Sequence, residues 1–391
     1  MAVLKSREFR RFIQRFRYNW YAITQTIRFK AKSQPRHFIG AAIACLLLLA
    51  CLYRFPVRTG ELRVSMIVLF ESAVVVTLCI LLWSLANKYV AMFLAMALVS
   101  QYYPFYGQSS YIAMHCILYG CILYGAIVAL EYSNTSQVFM DMMCVVALGN
   151  IVIQALQVAN MDPIFMPIEG GHDIPTGLMT NINETSALLA FCFPAFLRKR
   201  WVYMLPVVAF GFIAAKSSGG VMAVILGICA YAWMTGFASY VLIAISAFVV
   251  WWLVDPPYDQ PGSASRIEVY IAGFKAYLQR PIMGFGIGHW KIVFQKPGML
   301  PHYFSSAHNE FLQGLFEMGV AFGGIMAGYF IDIARRIKRD KRLHLPVMAL
   351  VIVAANSLVN FPFHIAPTAA IAICWLAILE HELRQVRKDH T

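Results

Sequence analysis

Between Arg280 and Gly319 the chain reads RPIMGFGIGHWKIVFQKPGMLPHYFSSAHNEFLQGLFEMG, and its polar groups collect where an apolar helix begins. His308 brings an imidazole, whose ordinary pKa is about 6.5. Asn309, Gln313 and Glu317 follow at four-residue spacing, so on a helix they form one polar stripe with His308 at its mouth. At about 1.5 Å per residue, Glu317 lies roughly 13 Å below His308. A carboxylate at that depth is costly in a membrane unless it faces protein or water. The stripe is therefore either a site or a set of hydrogen bonds to neighbouring helices. Ser305 and Ser306 stand where a hydroxyl can cap the helix.

Four other segments carry candidate groups. Arg266 opens the stretch IEVYIAGFKAYL, Ile267 to Leu278, behind GSAS, where Ser263 or Ser265 can cap. A guanidinium fork beside free helix N–H groups receives phosphate, while a lone arginine at a membrane surface also serves as a lipid anchor. Lys216, in AAKSSGG, is a second cation, or a lysine snorkelling from a helix end. In TGLMTNINET, Asn181 can cap a helix while Glu184 reaches back from the third position, with Asn183 between them. Glu169, His172 and Asp173 in PIEGGHDIP lack a supported ligand geometry, so no metal is expected, and no cofactor. GFGIG at 284–288 has no preceding strand and reads as a tight turn rather than a phosphate loop.

The elements that must position these groups are membrane spans. Of 391 residues, 60% are hydrophobic and 13% charged, with a mean hydropathy of +0.64. The formal charge of +13 sits in short blocks between apolar runs, which makes it a topology signal and excludes a nucleic-acid partner. The 9 cysteines all fall inside apolar runs, so no disulfide framework is implied. Apolar runs of bilayer length predict an all-α polytopic membrane protein of about twelve spans. They lie near 38–55, 62–86, 89–105, 110–130, 138–159, 181–197, 201–215, 219–236, 238–254, 309–333, 345–361 and 365–380. Residues 1–37 form a basic cytoplasmic arm, 38–380 a single transmembrane domain, and 381–391 a cytoplasmic tail. Both termini and the blocks at Lys88, Arg198-Lys199-Arg200, Arg335 to Arg342 and Arg384 to Lys388 then face the cytoplasm, with Arg54, Arg58 and Arg63 dissenting. Asn160 to Thr180, Lys216 to Gly220 and the long loop 255–308 share the outer face. That loop precedes the tenth span, and its Ile267–Leu278 stretch is spaced for a helix at the membrane interface.

The order of these segments resembles the O-antigen ligase family, which includes O-antigen polymerases and protein O-oligosaccharyltransferases. The matching pieces are GLMTNINETSALLAFCFPAFL, AAKSSGG, Arg266 followed by QRPIMGFGIGHW, and AHNEFLQGLFEMGVAFG, over roughly residues 160 to 335. The resemblance implies a membrane glycosyltransferase that moves a glycan from a polyprenyl diphosphate lipid to an acceptor hydroxyl, on lipid A core or a growing polysaccharide. It would act at the outer face of the bacterial cytoplasmic membrane, without metal or nucleotide sugar, with membrane lipids as its other partners. It implies His308 as base and Arg266 as diphosphate ligand, and makes Lys216, Asn181, Asn183, Asn309, Gln313 and Glu317 candidate substrate-binding residues. Family members usually show Ser-Arg-Gly where this chain has Ser217-Ser218-Gly219, which leaves Lys216 as the nearby cation. The rival readings are a multi-span transporter or flippase of glycolipid or small solute, and a non-catalytic partner in polysaccharide assembly. Repeated halves with interrupted helices, which carriers often show, are not evident in the sequence.

Overall fold

The computed structural model describes residues 120, 124, 135–161, 175–179, 181–236, 263–294, 306–337 and 340–389. The basic arm, the expected spans at 38–55, 62–86, 89–105 and 238–254, most of that at 110–130, and Glu169, His172 and Asp173 lie outside the described residues. Among the described residues every regular element is helical. They are α1 (Thr135–Val158), α2 (Ile182–Phe196), α3 (Leu205–Ala215), α4 (Ser218–Thr235), α5 (Ser263–Tyr277), α6 (Trp290–Phe294), α7 (Glu310–Met318), α8 (Val320–Arg336), α9 (His344–Ser357) and α10 (Ala366–Lys388). Single 3-10 turns occupy Val202–Met204, Lys341–Leu343 and Pro362–His364. Among the described residues three helices are long and apolar enough to cross a membrane, at Ser136–Val158, Ser218–Thr235 and Ala366–Arg387, and Ile182–Phe196 and Val202–Ala215 are shorter apolar helices.

Small residues let these helices approach closely. A Cβ on Gly220 of α4 would run into Ser186 of α2, and one on Gly227 into Ile352 of α9. A Cβ on Gly211 of α3 would lie 2.8 Å from Ile151 of α1. In an apolar solvent such contact replaces the hydrophobic drive that packs helices in water. The core they enclose includes Leu188, Phe191, Phe196, Met143 and Trp375. The indole N–H of Trp375 donates to the Phe191 carbonyl at 2.7 Å, which satisfies the one polar atom of that ring.

Polar contacts among the described helices divide between two ends. At one end Asp141 of α1 accepts from Arg198 and Arg200, each at 3.0 Å, and from Trp201 Nε1 at 2.6 Å. Ser136 donates to Glu382 at that end, and Arg336 bridges Asp332 at 2.7 Å and Glu380 at 3.4 Å. Arg342 joins Asp340 and Asp389 at 2.9 and 2.6 Å. Leu383 and Val386 are buried against Leu343 and Ile333 there. These contacts explain why α10 continues to Lys388 instead of giving way to a tail at 381.

The span expected at 309–333 is two helices. Gly319, at φ 70° and ψ −166°, separates α7 from α8. A Cβ there would overlap the Ile282 carbonyl. The glycine loop at 284–288 fills the break: Phe285 N–H donates to Phe316 O at 2.9 Å, Gly286 N–H to Glu317 O at 2.8 Å, and Val320 N–H to Pro281 O at 2.7 Å. Gly284, Gly286 and Gly288 all have positive φ, so the run is a turn that caps a helix C-terminus. The expectation of a tight turn over a phosphate loop holds. Gly319→Ala should therefore lower stability by about 1–3 kcal/mol through backbone strain alone, and more through the overlap. Thermal unfolding in detergent measures it.

Candidate functional site

Asn309 starts the site locally. It is the N-cap of α7, its side chain accepting from Leu312 N–H at 3.0 Å. This corrects the expectation that Ser305 or Ser306 caps: Ser306 Oγ is buried and makes no hydrogen bond, and Ser305 lies outside the described residues. Asn309 was thus expected on the helical stripe and instead precedes it. The other two stripe residues do pair, with Gln313 Nε2 donating to Glu317 Oε1 at 3.0 Å. Both are buried, and Gln313 Oε1 accepts from Ala307 N–H at 3.0 Å. As placed, the stripe binds its own chain.

Three segments converge on the turn that follows α9. His308 has a left-handed backbone, at φ 51°, and Tyr270 of α5 donates its hydroxyl to the His308 carbonyl at 3.1 Å and to that of Leu358 at 3.4 Å. The His308 ring meets Phe361 edge to face, with centroids 4.7 Å apart. Arg266 donates to Val359 O at 3.4 Å. Gly219, three residues after Lys216, approaches Asn360 so closely that an added Cβ would lie 2.9 Å from its Nδ2. Ser263 and Ser265 both lie inside the first turn of α5, so neither precedes it as a cap in the way expected, and Arg266 is its fourth residue.

Lys216 is exposed and left-handed, at φ 48°, as the C-cap of α3. Beside it, Ser217 Oγ donates to Asn183 Oδ1 at 2.8 Å, and Ser186 Oγ to Ser217 O at 3.2 Å. Asn181 caps α2 by accepting from Asn183 N–H at 2.8 Å, as expected. The segment before it comes to the same end of the bundle, with Gly177 N–H on Gln157 Oε1 at 2.7 Å and Leu178 N–H on Asn150 Oδ1 at 2.8 Å. The described parts of the expected outer segments therefore lie away from the ion-paired basic blocks.

Sequence reading missed the far side of the site. Glu310 Oε1 accepts from Phe363 N–H at 2.8 Å and lies 3.2 Å from His364 Nδ1. His364 Nε2 is 2.9 Å from Gln313 Nε2. The available signal was a histidine in the short turn between the spans at 345–361 and 365–380, on the same side as His308 by span count. The two imidazoles differ electrically. Burial, then Arg266 and His364, lower the His308 pKa to about 4. Packing opposes a charge on His364 too, but Glu310 and then Glu317 outweigh it and push its pKa up to about 9.

No group of three or more His, Cys, Asp or Glu among the described residues could hold a metal ion. No protein-family model matches the chain, and no curated protein sequence matches it.

The histidines make opposite pH predictions. Between the unfolded value of 6.5 and about 4, unfolded chains bind a proton at His308 that folded chains do not, so stability falls as pH drops through that window. The His364 contribution is complete below 6.5 and is lost as pH rises through about 9. Melting temperature against pH should decline at both ends, and His308→Gln should flatten the acid decline only.

Proposed function

We propose that this protein is a polytopic membrane glycosyltransferase of the O-antigen ligase kind. It has about twelve spans, both termini in the cytoplasm, and its site at the outer face of the bacterial cytoplasmic membrane. It moves a glycan from a polyprenyl diphosphate lipid to an acceptor hydroxyl. The observation that carries the reading is the convergence of Arg266, the Lys216 segment and two histidines on one turn, at the end of the bundle opposite the ion-paired basic blocks. Short basic segments tend to be retained on the cytoplasmic side, which supports an outer location for the convergent end.

The chemistry follows from the groups present. A diphosphate leaving group develops negative charge as its bond to the sugar breaks, and fixed cations stabilise that charge. Arg266 supplies a planar fork and Lys216 a point charge. An imidazole takes the proton of the attacking hydroxyl, the role that the resemblance implies for His308. The exposed apolar residues Ile267, Ile271 and Phe274 recur on one side of α5, with Leu278 just beyond it, while Val269 and Ala276 on the other are buried. That division suits a helix lying at the bilayer surface beside a lipid-borne donor.

Two measurements test this. Reporter fusions after Arg200 and Lys341 should read cytoplasm, and fusions after Gly171 and Gln295 the outside; a cytoplasmic Gln295 fusion removes the proposal. A deletion strain should accumulate lipid-linked glycan, where a transporter of another solute would leave that pool unchanged. In membranes, Arg266→Ala should be severe and Lys216→Ala should cost about tenfold or more, the loss of a charge-assisted contact of roughly 1.5–3 kcal/mol. Unchanged transfer in Lys216→Ala would limit the diphosphate site to Arg266.

A further inference from the structure

We propose that Tyr270 is a positioning residue whose hydroxyl sets His308 relative to Arg266, and so sets the imidazole against the diphosphate. The inference rests on the transferase reading and gives one of its requirements to a residue that the family resemblance leaves without a role.

Tyr270 and Arg266 stand four residues apart on α5, so they share one flank of the helix. They reach consecutive carbonyls of the turn after α9: Arg266 donates to Val359 O at 3.4 Å and Tyr270 to Leu358 O at 3.4 Å. The Tyr270 hydroxyl lies closer still to His308 O, at 3.1 Å. A phenol has a single hydrogen, which the two carbonyls share. Three parts of the site therefore meet at one atom: α5 with its Arg266, the turn, and the backbone of His308. Burial outweighs the opposing pull of Arg266 and raises the Tyr270 pKa above its ordinary value, so the hydroxyl keeps its proton at neutral pH and donates.

The residues on either side of His308 are held independently. Ala307 is buried in one cluster with Val269 and Ala276 of α5 and with Trp290 and Phe316, and its N–H donates to Gln313 Oε1 at 3.0 Å. Asn309 caps α7 by accepting from Leu312 N–H at 3.0 Å. Between them His308 takes φ 51°, a backbone that a residue with a side chain keeps only where its surroundings hold it. The Tyr270 hydroxyl grips the peptide plane that follows, while Phe361 meets the ring edge to face at 4.7 Å. One contact fixes the backbone that carries the imidazole, and the other its tilt. The helix behind the hydroxyl is firmly seated. A Cβ on Gly273 would lie 2.6 Å from the Trp290 ring, so α5 rests directly on the aromatic cluster.

This arrangement bears on rate more than on binding. Arg266 and the exposed apolar side of α5 remain in place whether or not residue 270 has a hydroxyl. What the hydroxyl fixes is the place of the imidazole against the bond that breaks. A misplacement of about 1 Å can cost on the order of a hundredfold in rate. Tyr270 takes no proton from the acceptor and acts through His308.

The test uses the full chain in lipid vesicles, with undecaprenyl diphosphate carrying a fluorescent oligosaccharide as donor and lipid A core as acceptor. Tyr270→Phe keeps the ring and removes only the hydroxyl. It should lower kcat about tenfold to a hundredfold, with KM for the donor within about twofold of wild type. A fluorinated tyrosine at position 270, whose phenol ionises nearer neutral pH, should lose kcat at steady KM as its hydroxyl gives up the proton, over a pH range where the wild-type rate holds. Tyr270→Phe with kcat within about twofold of wild type overturns the inference. So does a rise in donor KM at constant kcat, which would place Tyr270 in the donor site itself. If Tyr270→Phe does not accumulate in membranes, the fluorinated protein decides, and a pH profile that matches wild type overturns the inference. A His308→Ala variant with wild-type rates removes the residue through which Tyr270 acts and overturns the inference while the transferase reading stands. A wild-type protein that transfers nothing overturns the transferase reading and the inference with it.

Discussion

The carbonyls of Phe316 and Glu317 must find donors where α7 stops, and that requirement organises the site. A helix end buried away from water leaves acceptors that cost about 1–3 kcal/mol each if unpaired. Phe285 and Gly286 satisfy both, which ties the glycine loop to the helix break. Phe285 also stacks on Phe316 with centroids 4.7 Å apart, and Arg280 lies over the Phe285 ring at 4.9 Å. Trp290 closes the far side of Phe316 at 5.0 Å. Once α7 is anchored at its C-terminus, its N-terminal turn can only meet the turn after α9. Contacts made by His308, Glu310 and Gln313 themselves then complete the arrangement.

The two ends of the bundle solve different problems. At the basic end, arginines are held in pairs with Asp141, Asp332, Glu380, Asp340 and Asp389, so fixed charge of both signs locks the helix ends together. At the site end the bonds are mostly neutral: amides, hydroxyls and backbone carbonyls, with Arg266 and Lys216 joined to no carboxylate by a described ion pair. Neutral bonds keep helices in register without neutralising the cations. An anionic substrate would meet them with their charge intact, in surroundings less screening than water.

The bundle was legible because its signals are local. Apolar length identified the helices from α1 to α4, and Asn181 announced its own cap by residue type and position. The break at Gly319 was hidden, since MGVAFGG is apolar on both sides and a glycine in a membrane helix is ordinary. Only the approach of Ile282 and the loop, more than thirty residues upstream, makes that glycine a stop. The cap was misassigned for a similar reason: two serines and an asparagine all fit locally, and tertiary contacts at His308 selected the asparagine. Half of the site was legible as the stripe beginning at His308. The half from Tyr270, Glu310 and His364 was not, because those residues meet only when α5, α7 and the turn before α10 are brought together.

That convergence also explains how two identical side chains on one turn come to differ. Phe361 stands 4.7 Å from His308 and 6.1 Å from His364, and His364 itself adds to the opposition to a proton on His308. At His308 burial disfavours a charge first, and Arg266 on the α5 side opposes a second positive charge there. On the α7 side Glu310 and Glu317 bracket Gln313, and a positive charge at His364 would complete an ion pair. Because both carboxylates belong to one short helix, their spacing to His364 cannot drift independently. The anchoring of Phe316 and Glu317 therefore fixes α7, and with it the carboxylates that face His364 and the segment that carries His308.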